Sequence, residues 1–125
     1  MAPPPNTRFV DRFSLVHATW GAVAELSGVP APVGFAAAVG FELVENRLKR
    51  AYSGFFPDDA PDGWQNQVGD VAAFGAGYYL ARALKKTDGG KAAIILLGAL
   101  AGAIWLDRLA AKPALPAAQR QQFLR

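Results

Sequence analysis

The sequence predicts an all-α fold, a small transmembrane bundle of about four helices, on three observations. Four segments of helical character are separated by breaks rich in proline and glycine. Charged residues make up 18% of the chain against 52% apolar, whereas an ordinary soluble domain carries about 25% charged residues. The basic residues gather at the ends of the apolar segments, as membrane-edge anchors do. No stretch alternates with the period of two that half-buried strands require.

The 125 residues allow one domain and no second core. Residues 1–9 read as a flexible proline-rich tail, 10–110 as the helical membrane domain and 111–125 as a polar C-terminal tail. The first helix is expected over residues 10–26. Gly28-Val29-Pro30-Ala31-Pro32 ends it, because proline cannot continue a helix and disfavours helical backbone in the residue before it. With His17 and Glu25 interrupting it and no small-residue cleavage site behind it, this segment reads as an uncleaved anchor and not a signal peptide. The second helix is expected over residues 33–50, followed by the turn-rich loop SGFFPDDAPDGW. The third runs over residues 65–86 and is closed by Thr87-Asp88-Gly89-Gly90. The fourth, AAIILLGALAGAIWL, covers residues 92–106.

Crossing a bilayer takes roughly 20 mostly apolar residues. The longest run free of Asp, Glu, Lys and Arg is 26–41, 16 residues that include two prolines, and 92–106 provides 15. The third segment provides 11, residues 71–81, unless Asp70 lies inside the membrane. An aspartate near the centre of a helix costs about 2.5–3.5 kcal/mol, and each Leu, Ile, Phe or Val returns only about 0.3–0.6. Val68, Val71, Phe74 and Leu80 therefore roughly offset one aspartate, and the third helix should insert only with partners. The shortness of these runs also leaves a water-soluble helical bundle open.

Gly69, Gly75 and Gly77, and the Gly98–Gly102 pair in GxxxG spacing, suit close helix packing in lipid. Trp20, Trp64, Trp105, Tyr52, Tyr78 and Tyr79 fall near segment ends, as an interfacial aromatic belt does, with Trp20 also open to a core role. Four spans would place nine basic residues on the side of the termini and four on the other, so the positive-inside rule puts both termini in the cytoplasm.

The polar residues fall into helical stripes. His17 shares a face with Phe13, Trp20 and Gly21, with Glu25 a turn further on. Glu42, Glu45 and Asn46 are spaced i, i+3 and i+4, and Asn66 and Asp70 are four apart, so each set shares a face. Glu42 and Asp70 are the candidate catalytic residues; His17, Glu45, Asn46, Asp62 and Asn66 are the candidate binding residues. Imidazole and carboxylate donors suit a hard or borderline divalent metal, with His17, Glu42 and Asp70 as its candidate ligands. They suit equally a proton-handling pair. The alternative is a polar network that only holds the bundle together, with Glu25 and Glu45 at helix ends and Glu45 pairing with Arg47 or Lys49. Zero cysteines exclude disulfides, thiolate metal sites and a cysteine nucleophile. The separated basic clusters argue against nucleic acid, which calls for a continuous basic face.

The run ELVENRLKRAY followed by PDDAPDGWQNQVGDVAAFGAGYYLA resembles the VanZ-like group of small bacterial membrane proteins and related uncharacterised families. The resemblance covers roughly residues 13–82. It assigns the family's early-helix histidine to His17 and its Glu-x-x-Glu-Asn element to Glu42, Glu45 and Asn46. Its Asp-Ser/Thr-x-x-Asn-x-x-Gly/Ser-Asp element falls on Asp62, Asn66, Gly69 and Asp70. Gly63 departs from that pattern, which has a hydroxyl there. The resemblance implies a multi-helix inner-membrane protein but no reaction, since the namesake is associated only with glycopeptide resistance. The resulting expectation is an inner-membrane protein whose polar cluster binds or acts on an envelope lipid or cell-wall intermediate, with Asp58, Asp59 and Asp62 gating or completing the site. Its partners would be the bilayer and a second copy or another membrane protein; the alternative is a scaffold or small subunit without enzymatic activity.

Overall fold

A computed structural model describes residues 4–51 and 60–110. Its described residues form four helices and no strand: α1 (Ser14–Leu26), α2 (Ala31–Ala51), α3 (Trp64–Leu84) and α4 (Asp88–Ala110). The all-helical expectation and the number of helices hold. Asp58, Asp59, Tyr52 and the tail 111–125 lie outside the described residues.

The helix ends differ from the expected ones for local reasons. α1 starts at Ser14, because the Asp11 carboxylate accepts the backbone N–H groups of Phe13 and Ser14 and so caps the first turn. It stops at a glycine cap: Gly28 takes a φ of 76°, and Val29 N–H reaches back to the Ala24 carbonyl at 2.9 Å. α2 starts two residues earlier than expected, at Ala31, since Pro32 falls in the first turn where no intrahelical N–H is needed. The Thr87–Gly90 segment, expected to close the third helix, instead opens the fourth. The Thr87 hydroxyl accepts the Gly90 N–H at 3.0 Å, an N-cap that sets the start of α4 at Asp88.

α1 and α3 form the centre of the bundle. They run parallel: Ser14 meets Asp70, Ala18 meets Gly77, and Glu25 meets Arg82. Glycine makes that approach possible. A methyl group at Gly77 would overlap the Ala18 carbonyl, and one at Gly21 would overlap that of Phe74. α2 crosses α3 antiparallel, with Phe35 edge-on to Phe74 and over Gly75. α4 leans on α1, with Thr19 beside Gly98 and Phe13 beside Trp105. The expected Gly98–Gly102 packing seam is not closed: a methyl at Gly98 would make only ordinary contact and one at Gly102 would meet nothing. Before α1, the chain lies against the segment entering α3. Asn6 and Asp62 form an isolated parallel bridge, and the Phe9 carbonyl sits over Gly69.

Side chains are distributed inside out relative to a water-soluble domain. The buried apolar residues are few and mostly small, Val16, Ala22, Phe74, Tyr78, Ala81, Ile94 and Ala101. Buried with them are Ser14, Glu25, Glu42, Glu45, Asn46, Lys49, Asp62, Asn66 and Asp70. Large apolar side chains such as Val33, Leu43, Val44, Val68, Leu80, Ile95, Leu96 and Leu106 face outward. Buried charge and broad apolar exposure are the informative departures from ordinary residue placement. One helix among the described residues, over Asp88–Arg108, is both long and apolar enough to cross a membrane, and only 17% of its apolar window is buried.

Two aromatic assignments change. Tyr78, expected at an interface, is 1% exposed and donates its hydroxyl to the Val29 carbonyl at 2.6 Å, tying α3 to the α1–α2 turn. Trp20, for which a core position was open, is 58% exposed.

Candidate functional site

The parallel α1–α3 pair and the crossing α2 bring three stripes to one level. His17 projects from the first turn of α1, Glu42 from the middle of α2, and Asp70 from the second turn of α3. The imidazole lies between the two carboxylates: Nδ1 is 3.3 Å from Glu42 Oε1, and Nε2 is 3.5 Å from Asp70 Oδ2. Glu42 and Asp70 are almost wholly buried, and His17 keeps slight exposure. Each residue offers a donor atom, and these three atoms lie within 4.8 Å of one another. His17, Glu42 and Asp70 are therefore the residues placed to hold a metal.

The outer contacts of the three differ. Asp70 Oδ1 accepts the Ser14 hydroxyl at 3.1 Å, and the Ser14 oxygen accepts the Asp11 backbone N–H at 3.1 Å. Both carboxylate oxygens of Glu42 are buried without a hydrogen-bond partner. Removing a carboxylate from water without compensation costs several kcal/mol, so buried charges are almost always paired or ligated. Among the described residues, Glu42 and the Arg108 Nε are the exceptions.

The other candidate residues build a second network that shares the cavity with His17 and Asp70. Asn46 grips the backbone of Asp62 at both ends of its amide: Nδ2 donates to the Asp62 carbonyl at 2.8 Å, and Oδ1 accepts the Asp62 N–H at 2.7 Å. Lys49 bridges Asp62 Oδ2 at 2.7 Å and Glu45 Oε1 at 3.1 Å. Glu45 thus pairs with Lys49, as one of the sequence alternatives had it. Asn66 donates to the Arg8 carbonyl at 2.9 Å and to Asp11 Oδ2 at 3.3 Å, fixing the segment before α1 against α3. Glu25, grouped by sequence with the His17 stripe, lies apart from the cluster: it reaches Lys85 at 2.6 Å and Arg82 at 3.3 Å. These bonds hold its carboxyl down to about 2, that to Lys85 first, against the opposing effect of burial.

Ser14, Asp11 and Lys49 escaped the sequence reading as site residues. Asp11-x-x-Ser14 carried a helix-start signal, and Glu45-x-x-x-Lys49 carried the i, i+4 pairing signal. Neither signal says that the residue faces inward.

A cavity of about 40 Å³ lies beside the cluster, lined by His17 and Asp70 together with Asp11, Lys49, Asp62 and Asn66. It has room for one or a few water molecules. His17, Trp20 and Phe41 also line a second, almost wholly apolar groove of about 210 Å³, with Ala37, Ala38 and Phe74. Phe13, Val16, Trp20, Phe41, Trp105 and Glu45 complete the cavity lining, so cavity and groove share His17, Trp20 and Phe41.

Comparisons with protein-family models, with curated proteins and with solved structures found no match to this chain.

Proposed function

We propose that this chain is a bilayer-embedded helix bundle whose His17–Glu42–Asp70 cluster binds or acts on the polar head of an amphiphilic envelope lipid, with the lipid's chain in the groove of Trp20, Ala37, Ala38, Phe41 and Phe74. The observation that carries the reading is the shared wall: a cavity lined by His17, Asp70 and further polar side chains adjoins an almost wholly apolar groove through His17, Trp20 and Phe41. The inside-out distribution of side chains supports the lipid surroundings, because exposed apolar surface has no cost in hydrocarbon and polar groups must be satisfied internally.

At about 1.5 Å per residue, Asp70 sits about 9 Å inside the α3 start and Glu42 about midway along α2. A headgroup reaching them would enter the outer half of a hydrocarbon core about 30 Å thick, beside the cavity. α2, α3 and α4 are each about 30 Å long or slightly more, whereas the 13 residues of α1 reach only about 20 Å. α1 is therefore read as a partial insertion held by α3 and α4. The VanZ-like resemblance is the source for a bacterial inner membrane, and the distribution of basic residues for cytoplasmic termini.

A second reading, a scaffold whose polar residues serve assembly alone, is favoured by the Asn46–Asp62–Lys49–Glu45 network, whose interactions all hold one chain crossing. It leaves the unmatched Glu42 without a purpose.

The test is photocrosslinking in bacterial membranes with a photoreactive amino acid at Ala38, followed by mass spectrometry of the adduct. A selected lipid species, enriched over its bulk abundance and diminished by Asp70→Asn, is expected. Adducts that mirror bulk lipid composition and ignore Asp70→Asn would contradict the proposal.

A further inference from the structure

The two unmatched oxygens of Glu42 set a problem of charge and geometry. A neutral imidazole donates one hydrogen bond and turns a lone pair toward its other neighbour; only the imidazolium donates to both. His17 faces a carboxylate oxygen on each side. A neutral His17 can donate to only one of them, Glu42 from Nδ1 at 3.3 Å or Asp70 from Nε2 at 3.5 Å, and Asp70 already has a donor in Ser14. With both carboxyls ionised, either tautomer leaves a ring lone pair facing a carboxylate oxygen on the other side, and Glu42 Oε2 has no partner with either. Lys49 lines the same cavity but is already engaged by Glu45 and Asp62. What the cluster lacks is a cation small enough to lie among the three side chains.

We propose that His17, Glu42 and Asp70 bind one divalent cation of the zinc or manganese class, with at least one coordination position open toward the cavity. One imidazole nitrogen and two carboxylates form a mixed donor set that suits such borderline ions better than calcium, which takes six to eight oxygens. Three protein ligands with an open position is the arrangement of a catalytic site and not of a closed structural one. Tetrahedral metal–donor bonds of about 2.0–2.2 Å put donors about 3.3–3.6 Å apart. The cluster, whose donors lie within 4.8 Å, needs to contract by up to about 1.3 Å around an ion. The chain Asp11 N–H to Ser14 to Asp70 supplies the outer support that orients a metal-bound carboxylate. The open position faces a cavity of about 40 Å³, where a water or a headgroup oxygen would be polarised by the ion.

This inference rests on the reading of the cluster as the working site, but not on which lipid it serves. The full chain is purified in detergent through a tag that binds no metal, stripped with a chelator, and dialysed against zinc, manganese or magnesium alone. Bound metal is then measured by mass spectrometry. One equivalent of zinc or manganese per chain is expected, with weaker magnesium and a higher thermal unfolding midpoint in the loaded protein. His17→Ala and Glu42→Gln should each weaken binding tenfold or more. Ser14→Ala should keep the single equivalent with affinity lowered about tenfold, the effect of losing an outer support. If Glu42→Gln loses its helical circular dichroism, Glu42→Asp takes its place, and unchanged affinity there counts against the site. A stripped wild-type chain that takes up no equivalent overturns the inference and leaves a proton-sharing triad. So does unaltered binding in both His17→Ala and the Glu42 variant. Absent metal with an intact lipid adduct refutes this inference alone; bound metal with a non-selective adduct refutes the lipid reading alone.

Discussion

Two polar clusters are buried in this bundle, and they stand in opposite condition. In the Asn46–Asp62–Lys49–Glu45 group, amide meets backbone at both ends and ammonium meets two carboxylates. In the His17–Glu42–Asp70 group, an imidazole sits between two acids, and one acid has no hydrogen-bond partner at either oxygen. Both set carboxylates against a basic side chain and both draw on α2, the first with Asp62 from the segment entering α3 and the second with His17 of α1 and Asp70 of α3. A satisfied buried network rigidifies a fold, whereas an incompletely satisfied one is held in place by the rest of the structure. On the proposed function, the difference separates residues that build the bundle from those that bind a ligand.

That contrast is broken most sharply by substitution in the satisfied group. Asp62→Ala leaves the buried Lys49 with Glu45 as its remaining described carboxylate partner. It should destabilise the chain by about 3 kcal/mol, as loss of one member of a buried pair does, measured by equilibrium unfolding in detergent. A comparable loss, about 2–3 kcal/mol, is expected for Gly77→Val. The added side chain pushes the α1 backbone at Ala18 away from α3, and overpacking of this kind typically costs 1–3 kcal/mol. Helical circular dichroism against temperature checks it.

The unsatisfied group should respond with the opposite sign. Glu42→Gln replaces an unmatched buried carboxyl with a neutral amide of the same shape, so stability should hold or rise by about 1 kcal/mol in the metal-free protein. Unfolding of the stripped protein reads this directly. A loss as large as that from Asp62→Ala would erase the distinction between the two clusters.

The smallest effect concerns Glu25, at the end of α1 and outside any membrane-crossing segment. Its carboxyl is lowered from 4.5 to about 2, chiefly by the hydrogen bond from Lys85. A depressed folded value means that its contribution is complete above the unfolded value and fades as pH falls through about 2. Thermal midpoints should therefore drop between pH 4.5 and 2 in the wild type and drop less in Glu25→Gln. Because Lys85 and Arg82 are substantially exposed, the difference should shrink in high salt.

Much of this was legible in the sequence because it is local. Helix number followed from Pro30, Pro32 and the Gly89–Gly90 pair, and the shared faces of Glu42, Glu45 and Asn46 followed from helical spacing. His17, Glu42 and Asp70 were named as metal candidates, and the fold brings those three together. Their separation from Glu45, Asn46 and Asp62 was not legible, because it depends on the rotation of α2 against α3, which no spacing within one helix encodes. Tyr78 misled for the same reason: it neighbours the exposed Tyr79, and only tertiary packing decides which of the two turns inward. Thr87 was read as a stop and acts as a start, since a hydroxyl followed by two glycines carries both signals until the Gly90 N–H is seen to bond to it.

The central claim, that an apolar exterior in lipid surrounds a polar working interior, is tested most directly by washing bacterial membranes that contain the full chain with alkaline carbonate. Retention in the membrane pellet is predicted, because Val33, Leu43, Leu80, Ile95 and Leu96 would otherwise face water. Release of the folded chain into the supernatant would contradict the claim and make those side chains an interface between soluble proteins.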